Sequence, residues 1–497
     1  MVYHGPSRGC TSCKLRRKKC DGTRPSCMRC ITAKRACSGY EDPELSSFRL
    51  YESSVTMQPS FITTARKCTM PKRVPFPGTN ILPEDKLPIE TSQDESNWLS
   101  LRAFFYDYCI ISSNPNLSRS YLPGLEMMTY HQETTSNLVR ACQAVSFATH
   151  WKPLNRPKLF EKAGSFYQDL LGSVAKVFES LNGVDIMETR YIIMLLGIYQ
   201  IAIDDENDYG SHDIHAKGLA ALMQAGTSPL SLLGIRLSNC RMDEATKSHL
   251  NQRPGVFSIP ALGHPGENLD QLLLSLDSLW MASEAESLPK DLLRLKRASI
   301  YLDQHFVLWQ GSRAAEFKPT TIGAIGQSNS YSPPGAGCWP GKVDTYFDLY
   351  VAGVWNVFRV ARLLIVALII KLSEASEENE DCSEYIRTVN CIVDDVISSV
   401  PYHLTDNLQV FLGTSSLNKE IMDSGKFLGG LLLIHPLYIV SELPFVSGDM
   451  RDYMRTCLAW IGSEMGFGQA TLLSNTPNID RNFLASGWML IWSGFLG

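Results

Sequence analysis

Six cysteines near the start of the chain limit what it can fold into more than any other feature. Cys10, Cys13, Cys20, Cys27, Cys30 and Cys37 stand in the spacing C-x2-C-x6-C-x6-C-x2-C-x6-C, two copies of C-x2-C-x6-C in succession. A C-x2-C turn aims two sulfurs at one metal, and thiolate is a soft ligand that favours tetrahedral zinc. Six thiolates cannot give two separate ions four ligands each, so two sulfurs must bridge and the site must be binuclear. The quasi-repeat points to the first cysteine of each half, Cys10 and Cys27, as the bridging pair. One zinc would then take Cys10, Cys13, Cys20 and Cys27, and the other Cys27, Cys30, Cys37 and Cys10.

Between the second and third cysteines runs KLRRKK, residues 14–19, which the spacing predicts as a short helix over Cys13 to Cys20. Residues 1–40 hold ten Lys or Arg against one acid, Asp21, a formal charge of +9. Two zincs with six thiolates add −2, which leaves about +7 on a knob of forty residues, an arrangement suited to phosphate. The whole chain carries −5, so the remainder carries −14. A basic tip on an acidic body confines binding to a polyanion to the tip.

These residues resemble the fungal Zn(II)2Cys6 binuclear zinc-cluster transcription factors. The likeness includes PSRGC, the basic run before the third cysteine, CDGTRPSC with Pro25 two before Cys27, and CSGY after the sixth cysteine. The resemblance implies a nuclear, sequence-specific regulator of RNA polymerase II genes, with two structural zincs and double-stranded DNA as partner. It also implies that the basic helix enters the major groove over a CGG triplet, read by the residues three and four after the second cysteine. Those are Arg16 and Arg17; the family more often has Lys at the second. Arginine can bond O6 and N7 of guanine together. A phosphate contact is the other reading of each, and Lys14, Lys18, Lys19, Arg24, Arg29, Lys34 and Arg35 read better as phosphate contacts. LRRKK also resembles a nuclear-import patch. The family often has a cis proline at the place of Pro25, whose isomer the sequence leaves open.

Three domains are expected: the zinc module over 1–40, a Pro-rich linker over 41–91, and an all-α regulatory domain over 92–497. The linker holds seven prolines, at 43, 59, 71, 75, 77, 83 and 88, and sustains no apolar heptad. Many relatives dimerise through a coiled coil there, so the oligomeric state stays open. From Ser92 the pattern turns helical, with Ser92 and Glu95 as a capping box and Trp98, Leu101, Phe105 and Tyr108 as one apolar stripe. Further helices are expected at 136–151, 158–181, 186–203, 212–225, 267–283, 289–308, 344–372, 382–399, 427–441, 449–474 and 480–494. Loops are expected at 250–266 and 310–341, and strand alternation is nowhere persuasive. KAGSFYQDLL, DIHAKGLAALMQAG, WNVFRVARLLI and GGLLLIHPLYIVSE also resemble, in order, the regulatory region of the same factors. That implies a helical domain controlling activity, sometimes by binding a small molecule, and partners in the transcription machinery or its coregulators.

Several features are weighed and set aside. The polar, basic start is not a secretory signal, and the longest unbroken apolar run, LLIVALII at 363–370, is far short of a membrane span. The other eight cysteines, 68, 109, 142, 240, 338, 382, 391 and 457, show no metal spacing and read as reduced, mostly buried thiols. Trp355, Phe358 and Tyr438 could line a ligand pocket, but core packing is the better reading. His215 and His435 are lone histidines without a second ligand. GAGCWPG at 335–341 lacks the spacing of a phosphate loop. The acidic stretch from Glu374 to Glu384 reads as a solvated loop, and the apolar end WMLIWSGFLG either packs on the body or meets a partner.

Other function classes fare worse. A disulfide scaffold is opposed by the basic helix and the absent secretion signal. A zinc store would leave 460 residues without a purpose. An enzyme with a zinc appendage needs a catalytic constellation in 92–497, and none is visible, so no catalytic residue is assigned. A scaffold or corepressor that does not itself read sequence stays open.

Overall fold

The computed structural model describes residues 13, 20, 21, 23, 27–33 and 37, then 93–130, 132–179, 186–222, 255–258, 268–285, 289–327, 333–375, 381–414 and 421–496. The chain divides into two units, 1–87 and 88–497. The linker expected over 41–91, the capping-box side chains of Ser92 and Glu95, most of the 250–266 loop and the centre of the acidic stretch lie outside the described residues.

The first unit contains α1 (Met28–Thr32). The second is a mostly helical body. It begins with α2 (Gln93–Tyr108), α3 (Leu125–Tyr130), α4 (Asn137–His150), α5 (Pro157–Glu179), α6 (Ile186–Ile203) and α7 (His212–Leu222). After α8 (Leu269–Ala285) and α9 (Pro289–Gly311) come β1 (Thr320–Ile325) and β2 (Gly341–Thr345). The rest is α10 (Leu349–Glu374), α11 (Ser383–Leu404), α12 (Leu408–Thr414), α13 (Phe427–Glu442), α14 (Gly448–Glu464), α15 (Gly468–Asn475) and α16 (Arg481–Ser493).

The core is built around α10. It starts at Asp348, whose carboxylate accepts the Val351 N–H at 3.0 Å, a normal N-cap. It is apolar nearly all round, and such a helix must be covered on all sides. Helices α9, α11 and α13 cover it. At 26 residues α10 is long and apolar enough to cross a membrane, but 89% of its most apolar stretch is buried inside the body. Expected to start at 344, it begins at Leu349 because β2 takes up Gly341–Thr345. On the other side of the core, α16 packs on α6 and α7. Trp488 and Trp492 are buried there, so the apolar end of the chain packs on the body.

The structure corrects the sequence reading in four places. First, the 310–341 loop contains β1, which pairs antiparallel with β2 from Thr320↔Thr345 to Ile325↔Gly341. A bulge between Thr321 and Gly323 breaks the two-residue period, so alternation could not reveal the strand. Long-range contacts hold the hairpin: Asp344, almost fully buried, accepts from Thr321 Oγ1 at 2.6 Å and Ser398 Oγ at 2.7 Å. Second, the stripe on α2 is rotated. Phe104 and Tyr108 are buried with rings 5.1 Å apart, while Trp98 is 53% exposed beneath the Arg102 guanidinium. Third, the single helix expected over 449–474 breaks at Gly466, which has φ +72° and separates α14 from α15. Fourth, α3 and α12 were not expected, because six or seven residues are too few to show a helical period.

The packing carries a pH signature. His403 on α11 is buried, with Nδ1 3.2 Å from the Gly429 carbonyl of α13 and Nε2 3.3 Å from the Asn356 amide of α10. Burial, reinforced by the nearby Arg359 charge, pushes its imidazole down to about 3. The unfolded chain therefore takes up a proton at this residue first as pH falls. The contribution is complete above the ordinary histidine value and is lost toward the folded value, by at most about 1.4 kcal/mol per pH unit. Between about pH 6.5 and 5 the melting temperature of His403→Asn should fall less steeply than that of the native chain. Equal slopes would rule this residue out as a source of acid sensitivity.

Candidate metal centre and nucleic-acid interface

The sulfurs of Cys13, Cys20 and Cys27 lie within 4.8 Å of one another, and so do those of Cys27, Cys30 and Cys37. Cys27 is common to both groups. Cys13 Sγ and Cys27 Sγ stand 3.8 Å apart. Two thiolates on one tetrahedral zinc, each at about 2.3 Å, are separated by about 3.8 Å. A disulfide needs about 2.05 Å. The donor set therefore fits shared metal and not a cross-link. Cys13, Cys27 and Cys30 are buried and Cys20 and Cys37 half-buried. Cys10 lies outside the described residues.

Local backbone chemistry sets up this cluster. Cys27 is the N-cap of α1, with φ −69° and ψ 142°, and its sulfur accepts the Cys30 N–H at 3.3 Å. An N–H directed at sulfur favours the thiolate, the form that binds metal. Asp21, next to Cys20, accepts the Met28 N–H at 3.0 Å and the Arg29 N–H at 3.3 Å, as well as the Thr23 hydroxyl. The Thr23 bond above all, with the backbone N–H groups of α1 beside it, holds the Asp21 carboxyl well below the usual range. The sequence showed Asp21 only as the one acid in a basic stretch. The structure gives it a positioning task, tying the chain after Cys20 to the first turn of α1. An acid directly after the third cysteine was the available signal.

Lys14, Arg16, Arg17, Lys18 and Lys19, and also Arg24, Pro25, Lys34 and Arg35, lie outside the described residues. Of the basic residues assigned to phosphate, Arg29 is described, and it is exposed on α1.

The body's candidate residues turn out to be packing groups. His215 Nε2 meets the Tyr167 hydroxyl at 2.9 Å, and burial pushes its imidazole down to about 4. His435 is buried against Trp488, their rings 5.5 Å apart. Tyr438 accepts the Ile479 N–H at 2.8 Å. The 335–341 loop packs inward through Cys338, and Trp339 lies against Tyr453 at 4.9 Å between ring centres. Of the remaining thiols, Cys142, Cys338 and Cys457 are buried, Cys109 and Cys382 half-buried and Cys391 exposed, while Cys68 and Cys240 are not among the described residues.

Residues 8–47 match the fungal Zn(2)-Cys(6) binuclear cluster domain. Over 425 residues the chain is 41% identical to transcription factor dbaG of Emericella nidulans, an alignment that covers 84% of this chain and 100% of that protein. No solved structure matches the chain.

Proposed function

The chain belongs to the fungal Zn(2)-Cys(6) binuclear-cluster transcription factors, and on that premise we propose that its cluster presents Arg16 and Arg17 to a CGG-type triplet in the major groove. The observation that carries this reading is the pair of cysteine groups sharing Cys27. We assign Cys10, Cys13, Cys20 and Cys27 to one zinc and Cys27, Cys30, Cys37 and Cys10 to the other. Four thiolates per ion leave no open position for a substrate, so in this reading the metal's contribution is folding energy. Lys14, Lys18 and Lys19 meet phosphate and orient the module, and the two arginines carry the sequence information. The protein works in the nucleus, recruits the transcription machinery or coregulators, and controls a secondary-metabolite cluster or a nutrient pathway.

Binding to randomised duplexes tests the assignment. Arg17→Ala should cost about 1–3 kcal/mol on the preferred duplex and relax the preference at one guanine. Equal weakening on all duplexes would reassign Arg17 to phosphate. With about six phosphate contacts, log affinity should fall against log salt with a slope near −5. No preference for any triplet in the native protein would favour the scaffold reading instead.

A further inference from the structure

The body contains a cavity of about 360 Å³ where α9, α10 and α11 meet, a volume within the usual range for small-molecule sites. Trp355 and Phe358 of α10 form part of its wall, and Arg359 lies beside them. Both aromatics are core residues: Trp355 meets Trp309 edge-on at 5.5 Å between ring centres, and Phe358 stacks on it at 4.9 Å. They therefore offer a rigid apolar wall as well as a core.

Arg359 is the unusual member of the lining. It is 2% exposed. Its Nη1 donates to Tyr346 Oη and Asn356 Oδ1, both at 2.9 Å, and its Nε has no hydrogen-bond partner. No carboxylate among the described residues forms an ion pair with it, whereas Arg362 on the same wall is paired with Asp303 at 2.9 Å. A buried cation without an anion costs several kcal/mol unless something neutralises it. The two acids of the lining are poorly placed to do so. Asp395 is held by Lys342 at 2.6 Å, and Glu384 is exposed. Arg387, exposed on α11, adds a further positive charge to the lining.

We propose that this cavity is an effector site for a small aromatic carboxylate, its ring against Trp355 and Phe358 and its carboxylate paired with Arg359. A planar guanidinium matches a carboxylate in shape and charge, and the aromatic wall takes the ring. The site lies within the helical body and owes nothing to the zinc module.

Cys391, exposed on the cavity lining, reports occupancy. The full zinc-loaded chain is titrated with 2-naphthoate and, separately, with the neutral 2-naphthamide, and alkylation of Cys391 is followed by site-resolved mass spectrometry. At a 2-naphthoate concentration about ten times Kd, alkylation should slow about tenfold, and the amide at the same concentration should leave the rate unchanged. Thr388→Trp, which fills the cavity from its α11 wall, should abolish both the protection and the binding. Should that variant fail to fold, the contrast between acid and amide on the native chain decides alone. No binding of 2-naphthoate, equal protection by the amide, or undiminished binding in a folded Thr388→Trp would each overturn the proposal. DNA is absent throughout, so failure here leaves the reading of the zinc module untouched.

Discussion

Replacing Cys27 by serine should empty both metal positions at once and abolish binding to the preferred duplex. Cys27 is the sulfur common to both cysteine groups, fully buried, and it also caps α1 through the Cys30 N–H. One substitution therefore removes a thiolate common to both groups, while the serine hydroxyl can still cap α1, so the loss reports on metal binding and not on the helix cap. Structural zinc sites of this kind contribute roughly 10–16 kcal/mol of apparent folding free energy at neutral pH, more than a module of forty residues holds in its core. Metal analysis of the purified chain should fall from two equivalents to less than one, and fluorescence anisotropy with the preferred duplex should show loss of specific binding. Chelation of the native protein should reproduce both results. Cys391→Ser, at an exposed thiol of the body, is the control and should retain two equivalents. The thermal transition of the body should survive in every case, because its core is separate from the cluster. A Cys27→Ser protein that still carries two equivalents of zinc would refute the bridging assignment.

The second large effect is expected at Gly466. Its φ of +72° suits glycine, and there a side chain costs roughly 1–2 kcal/mol. Space is the more severe constraint. A Cβ built on Gly466 would lie 1.9 Å from the Thr149 carbonyl oxygen and 2.7 Å from its carbon, so backbone at the end of α4 would have to move. Thr149 is itself fully buried, with its hydroxyl bonded to the Val145 carbonyl at 3.1 Å. Gly466→Ala should therefore cost more than about 4 kcal/mol, a large part of the stability of an ordinary domain, and should leave the body unfolded or insoluble at growth temperature. Gly172 provides the contrast. It sits in the interior of α5 with nothing within 4 Å of its missing Cβ, and Gly172→Ala should raise the melting temperature, equivalent to about 0.5–1 kcal/mol. A Gly466→Ala protein that melts within a few degrees of the native chain would show that the junction of α14 and α15 yields easily.

The helical character of the body was legible wherever a helix was long and its neighbours predictable. The expected stretch 186–203 coincides with α6, and 136–151 differs from α4 by one residue at each end, with Ser136 as the cap. Legibility failed where a remote partner sets the local structure. Gly466 interrupts a helical pattern because α14 and α15 must turn around the end of α4, a constraint that lies more than 300 residues away in the chain. The Thr321 bulge erased the period of β1, and Ser398 of α11 supports that hairpin from across the fold. On α2 the apolar residues fitted two neighbouring stripes, and only the surroundings chose Phe104 over Trp98.

The same division runs through the sites. The number and spacing of the cysteines, their grouping in two halves and the charge around them are properties of the chain within forty residues, so the sequence alone determines the binuclear thiolate cluster and its basic character. Short loop closure leaves few other ways to gather six sulfurs around metal. Tertiary structure alone decides that Arg359 is buried beside two aromatic rings, with no ion-paired carboxylate among the described residues. That juxtaposition depends on how three helices pack, and the free energy of a buried charge is set by what surrounds it and not by its place in the sequence.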